Sequence, residues 1–127
     1  SRFFATGQFG GMISLSNEVA AKKISSEEET WSDQTLLIFR HNWIGIYSQY
    51  DPFDAILRSR DSRAADRVAE AYRSAMSLLE SHFQPGSAAG TPYSRIGIAE
   101  RRRMADASNR FRDALIGAAD KLGIVPA

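Results

Sequence analysis

Arginine side chains are the residues of this 127-residue chain whose spacing most clearly suggests chemistry. Residues 94–112 contain six arginines against two acids, which gives a local charge of +4. A guanidinium group makes planar, paired contacts to phosphate and carboxylate, and every phosphate contact makes nucleic-acid binding more sensitive to salt. The pattern predicts a nucleic-acid-binding face. Its residues are Arg95, Arg101, Arg102, Arg103 and Arg110.

The same arginines also fit a simpler interpretation, in which they form a solvated helix face. Acidic residues such as Asp106 and Asp113 lie among them, and opposite charges three or four residues apart pair along a helix. The segment lacks the interleaved aromatic residues of single-strand binders and any clear helix-turn-helix spacing. Both interpretations stay open at the level of sequence.

Residues suited to catalysis or metal binding do not form a recognisable set. The chain has no cysteine, which excludes disulfides, thiolate metal sites and thiol nucleophiles. His41 and His82 do not have the spacing of a metal pair. Three consecutive acids at 27–29 are typical of a first helical turn, and no phosphate-binding loop or nucleophile elbow is present. We therefore predict no enzyme activity, no metal and no cofactor.

Aromatic residues near the start of the chain indicate a protein contact. The segment 1–15 combines Phe3, Phe4 and Phe9 with three glycines, so it is too rich in glycine for a stable helix and too apolar for simple disorder. Aromatic side chains often dominate the binding energy of interfaces. We expect these three residues to contact the body of the domain, a second copy or another protein.

Helices account for the remaining pattern, with predicted bounds near 17–24, 33–50, 53–59, 62–83 and 98–122. The last is the clearest, because apolar residues from Met104 to Leu122 recur at steps of three and four and Gly123 follows at a helix-stop position. Asp51-Pro52 resembles a cap followed by a first-turn proline and predicts a break. Asp61-Ser62 predicts the cap of the next helix.

These elements predict one all-α domain over residues 1–127. Its architecture should be an antiparallel bundle of three long helices with one or two short extra helices, joined by a loop rich in proline and glycine at 84–94. We detect no internal repeat. No stretch approaches the ~20 apolar residues of a membrane span, and we expect a cytoplasmic protein unless a signal sequence has been removed.

The order of several helix boundaries is loosely similar to that in small terminase subunits of phages. It runs from Trp31-Ser32-Asp33 through the loop to the ending Lys121-Leu122-Gly123-Ile124-Val125-Pro126. That resemblance would imply a helical, oligomeric DNA-packaging protein. Leu-Gly-x-x-Pro is a general helix stop, so we do not base the family assignment on it.

The functional hypothesis is a non-catalytic binding and assembly module that self-associates and contacts DNA or RNA through its arginine-rich helices. The alternative is a protein-interaction domain, such as an adaptor, effector or sensor segment, without a nucleic-acid role. A helical domain that binds a small ligand is the third hypothesis. Partners in the first two cases are a second copy or another protein.

Overall fold

The computed structural model describes residues 35–83 and 97–124. They form three helices, α1 at Thr35–Arg60, α2 at Ser62–Glu80 and α3 at Ile98–Lys121. The prediction of an all-α fold with three long helices is confirmed. The predicted helix at 17–24, the segment 1–15 and the loop at 84–94 lie outside the described residues.

Contacts at one end of the bundle join the corner between α1 and α2 to the end of α3. The Arg60 guanidinium donates a hydrogen bond to the carbonyl oxygen of Leu122 at 3.2 Å. The Lys121 ammonium group lies 3.6 Å from a carboxylate oxygen of Asp61. The end of α1, the start of α2 and the end of α3 therefore lie together.

Contacts at the opposite end join the start of α1, the end of α2 and the start of α3. Arg40 forms an ion pair with Glu80 at 2.8 Å, and the His82 ring lies 3.7 Å from a carboxylate oxygen of Glu100. Consequently α2 runs antiparallel to both α1 and α3. The antiparallel arrangement is the one expected from the short connection between α1 and α2.

The predicted break at Asp51-Pro52 is wrong, because α1 continues through Pro52 as one helix of 26 residues. A proline inside a helix cannot donate to the carbonyl four residues earlier, here that of Ser48. Both Ser48 and Pro52 are exposed, so water can satisfy that carbonyl. The Tyr50 hydroxyl also donates to Asp54 across the proline at 2.8 Å, and the two separately predicted helices at 33–50 and 53–59 are one.

Local capping chemistry places the start of α2 and the end of α3 close to their predicted positions. The Asp61 carboxylate accepts hydrogen bonds from the backbone N–H groups of Arg63 and Ala64, both at 3.1 Å. These bonds satisfy N–H groups that have no partner within the first turn of α2. Gly123 follows α3 with a φ of +70°, a left-handed conformation that glycine adopts without the strain a Cβ would cause.

The core is aromatic where the three helices meet. The rings of Tyr47 from α1 and Tyr72 from α2 stack with centroids 4.1 Å apart, and the Tyr72 ring lies 5.6 Å from that of Phe111 on α3. Phe39 and Trp43 stack along α1 at 5.9 Å. The apolar stripe predicted for α3 is buried from Met104 to Ala118, which explains why α3 packs onto the other helices.

Candidate functional site

The arginine face predicted from the sequence is only partly brought together by the fold. Arg101, Arg102 and Arg103 lie in the first turns of α3, where Arg102 and Arg103 are exposed and Arg101 is half-buried. Arg110 lies about two turns further along. Arg95 and the predicted interface residues Phe3, Phe4 and Phe9 lie outside the described residues, so their roles stay predictions.

Several arginines pair with neighbouring acids, as the simpler interpretation predicts. Arg103 contacts Glu100 at 2.6 Å, one turn earlier on α3, and Arg112 contacts Asp113 at 3.1 Å. Arg58 contacts Asp54 at 2.9 Å and Asp66 at 2.7 Å. Such pairs reduce the positive charge that these side chains can offer to phosphate. The nucleic-acid role of the arginine face remains a prediction.

Arg110 instead lies in a groove between α2 and α3, which we call the α2–α3 groove. The groove has a volume of about 400 Å³, within the ~300–1,000 Å³ of typical ligand sites. The lining residues from α2 are Arg67, Glu70, Ala71 and Ser74. Those from α3 are Arg110, Asp113, Ala114 and Gly117. The floor is made by small residues, and the rim by charged side chains.

The two walls of the α2–α3 groove carry similar sequences. The stretch 67–79 is RVAEAYRSAMSLL, and the stretch 110–122 is RFRDALIGAADKL. Each has an arginine first, a buried apolar residue second, an acid fourth, an alanine fifth and a leucine last. This partial similarity places corresponding charged and small residues on both walls and is too limited to count as an internal repeat.

Antiparallel packing turns this similarity into an approximate two-fold arrangement. The ring contact between Tyr72 and Phe111 sets the approximate register, in which Arg67 lies within one residue of the level of Gly117 and Arg110 within one residue of the level of Ser74. The acids Glu70 and Asp113 then face each other near the middle. The groove therefore presents an arginine at each end and Glu70 near its centre, where the charge of Asp113 is reduced by its ion pair with Arg112.

The charged rim faces solvent. Arg67, Glu70, Arg110 and Asp113 are all exposed, and neither arginine of the groove forms an ion pair with another residue of the described ranges. Both guanidinium groups can therefore contact carboxylates of a bound molecule. Such contacts at an exposed rim contribute little energy individually but select the partner by its charge.

Three tyrosines at and beside the aromatic junction, which we define as Tyr47, Tyr72 and Phe111, have raised pKa values. Burial and the hydrogen bond to Asp54 raise the pKa of Tyr50 well above its usual value, and burial raises the pKa of Tyr47 and of Tyr72. These phenols therefore stay protonated at neutral pH. Tyr50 is fully buried, so its role in the described structure is to hold Asp54 rather than to exchange protons with a substrate.

Metal binding has no visible centre in the described part of the chain. Within residues 35–83 and 97–124, no group of three or more His, Cys, Asp or Glu side chains lies close enough together to hold a metal ion. His41 is exposed on α1, and the Nε2 atom of His82 is buried without a hydrogen-bond partner. None of the helices in these ranges has the length and hydrophobicity of a membrane-spanning segment.

The helical bundle and its sequence define the class of protein. Residues 6–121 match the imelysin family, which carries the label peptidase M75, and the chain belongs to that family. This family match extends along residues 6–121, whereas the resemblance to small terminase subunits concerned only the order of helix boundaries. It covers all three described helices and both walls of the α2–α3 groove.

Particular relatives share the same region. The chain is similar to proteins named Efem/EfeO family lipoprotein from Staphylococcus aureus strains USA300 and COL, at 30% identity over 105 residues in each case. The matched region covers 83% of this chain and 37% of each relative. The chain thus spans well under half the length of these relatives.

These relatives correct the predicted location of the protein and bear on its predicted function. The expected cytoplasmic location is wrong, because the relatives are lipoproteins, which lie outside the cytoplasm. The relatives' names refer neither to nucleic acid nor to an enzymatic activity, and the word peptidase occurs only in the family label. The coarser prediction of a helical protein-contact domain is compatible with these names.

Proposed function

We propose that the chain is part of a lipid-anchored protein of the cell envelope that takes part in metal uptake, and that its own role there is binding rather than catalysis. The observation that carries this proposal is the imelysin match over residues 6–121. The likeness to Efem/EfeO lipoproteins supports the envelope location. Iron is the metal to test first.

The geometry of the described helices supports a role in binding a protein. The α2–α3 groove offers small residues at its floor and exposed charges at its rim, which is the arrangement of a contact surface with an apolar centre and a polar border. The aromatic junction beneath it is closely packed and holds both walls in place. A rigid groove of this kind can bind a helix without first rearranging.

A gene deletion in the organism of origin tests the proposed function. Cells without the gene are grown with limiting metal, and their iron, manganese, zinc and copper contents are measured by mass spectrometry. We expect a loss of one transition metal, with iron first, and its recovery when the gene is returned. Unchanged contents of all four metals would contradict a role in uptake.

A protease assay tests the non-catalytic part of the proposal. The purified chain is incubated with denatured casein, with and without added Zn²⁺, next to buffer alone. We expect no cleavage above the buffer control. Cleavage that copurifies with the chain and disappears on substitution of a single residue would show that the family label describes an activity of this protein.

A further inference from the structure

Gly117 is a residue that the packing of the described helices does not require. It lies inside α3 at the floor of the α2–α3 groove, and a Cβ atom placed on it would meet no atom of the described residues within 4 Å beyond its own stretch of helix. Glycine inside a helix lowers stability relative to alanine. Glycine is often used where another backbone must approach closely, so Gly117 points to a contact that these helices do not themselves make.

The dimensions of the α2–α3 groove suit a helix. Its floor is formed by Ala71, Ala114 and Gly117, and such short side chains let helix axes approach to about 8 Å. The stretch from Arg67 to Ser74 corresponds to about 10 Å along α2. A helix of about three turns would cover the floor and reach the arginines at both ends.

The charges of the groove disfavour a second copy as occupant. Glu70 lies near the centre of the groove, and Asp113 beside it is already paired with Arg112. A second copy facing the first across a two-fold axis would bring the two Glu70 side chains together without a basic partner. The complementary helix instead carries acids near Arg67 and Arg110 and a basic residue between them. Its source must be a sequence other than these two walls.

The length of the relatives indicates where such a helix comes from. More than half of each matched lipoprotein lies outside the region that this chain covers. We propose that the α2–α3 groove receives a helix from another part of the full-length lipoprotein, with acidic residues that contact Arg67 and Arg110. The inference rests on the proposed place of this chain in a longer lipoprotein.

Cysteine labelling tests the proposal, because the chain has no cysteine of its own. Ser74→Cys places a thiol in the groove, and Ser48→Cys places a control thiol on the exposed face of α1. Reaction with a maleimide is followed by peptide mass spectrometry in the 127-residue chain and in the full-length protein. We expect residue 74 to react at least about tenfold more slowly in the full-length protein, since the docked helix must open first, and residue 48 to react equally in both.

A matched pair of glycine variants shows whether the protection comes from close packing at the groove. Gly117→Leu fills the floor, whereas Gly45→Leu adds the same side chain to α1 at a position that is also open within 4 Å. In the full-length protein we expect Gly117→Leu to restore fast labelling of residue 74 and Gly45→Leu to leave it slow. Melting of each 127-residue variant checks that the bundle itself still folds.

Several outcomes would overturn the proposal. Equal labelling rates of residue 74 in both proteins would show that the groove is open in the full-length protein. Protection that grows with the concentration of the 127-residue chain would identify a second copy as the occupant. The absence of any longer natural polypeptide would remove the proposed source. None of these readouts depends on metal uptake, so they fail or succeed separately from the proposed function.

Discussion

Asp61 fixes the corner between α1 and α2 with a single carboxylate. It accepts two backbone hydrogen bonds at the start of α2 and lies 3.6 Å from Lys121. The hydrogen bond from Ala64 is the main cause that lowers the pKa of Asp61, and the charge of Lys121 lowers it further. Asp61 therefore stabilises the fold most when its carboxyl group is ionised.

Asp61→Ala should lower the Tm by several degrees, because the first turn of α2 loses its cap. The pKa of Asp61 in the folded protein lies below its unfolded value of about 3.9. The contribution of Asp61 to stability is therefore complete above about pH 3.9 and is lost as the pH falls through the folded pKa. The Tm difference between wild type and variant should be constant from pH 5 to 7 and shrink below about pH 4. A difference that persists unchanged at pH 2.5 would contradict this account, and Asp61→Ser is the control that keeps a cap.

Gly117→Ala should stabilise the 127-residue chain by about 0.5–1 kcal/mol, because alanine loses less conformational freedom in a helix and the added Cβ has open space. Gly45→Ala on α1 is equally open and should give a similar gain. Urea unfolding of the three proteins measures both effects. A loss of stability for Gly117→Ala alone would mean that the glycine serves the packing of the bundle itself.

Helix boundaries show what the sequence can and cannot predict at the scale of elements. The stripe of α3, the cap at Asp61 and the stop at Gly123 depend on local chemistry, and all three are found as predicted. The prediction at Pro52 is wrong because its local pattern is that of a helix start, whereas the packing of Leu57 into the core favours continuation of α1. The α2–α3 groove depends on the register between two helices, which no single stretch reveals.

Pro52→Ala should stabilise the protein by about 1–3 kcal/mol, since an interior proline is about 3 kcal/mol less favourable than alanine and part of this is offset in the unfolded chain. The backbone hydrogen bond to Ser48 becomes available in the variant. Urea unfolding with circular dichroism measures the change in stability and helix content. A lower stability would instead indicate that Pro52 starts a separate helix.

The aromatic junction unites the three helices at the scale of the whole molecule. Tyr47, Tyr72 and Phe111 contribute one ring from each helix, and Phe111 is fully buried. In the described structure α3 is held by ring contacts such as that of Phe111 with Tyr72 and, at its end, by the hydrogen bond from Arg60 to the Leu122 carbonyl. The α2–α3 groove and the contact between Tyr72 and Phe111 involve the same two helices, α2 and α3, so the shape of the groove depends on the packing of these two rings.

Phe111→Ala should destabilise the chain by about 3–5 kcal/mol, because it removes a buried ring and leaves a cavity between α2 and α3. Domains of this size have about 5–15 kcal/mol in total, so a large part of the stability should be lost. Phe111→Leu is the milder control. Denaturant unfolding compares the three proteins, and a loss below about 1 kcal/mol for Phe111→Ala would mean that the junction does not hold α3 in place.

We propose that this imelysin-family chain supports metal uptake and that this role depends on an intact α2–α3 groove. The most direct test measures metal accumulation in deletion cells that carry the full-length gene as wild type, Gly117→Leu or Gly45→Leu, with equal protein levels confirmed. We expect wild type and Gly45→Leu to restore metal accumulation and Gly117→Leu not to restore it. Full restoration by Gly117→Leu would contradict this proposal.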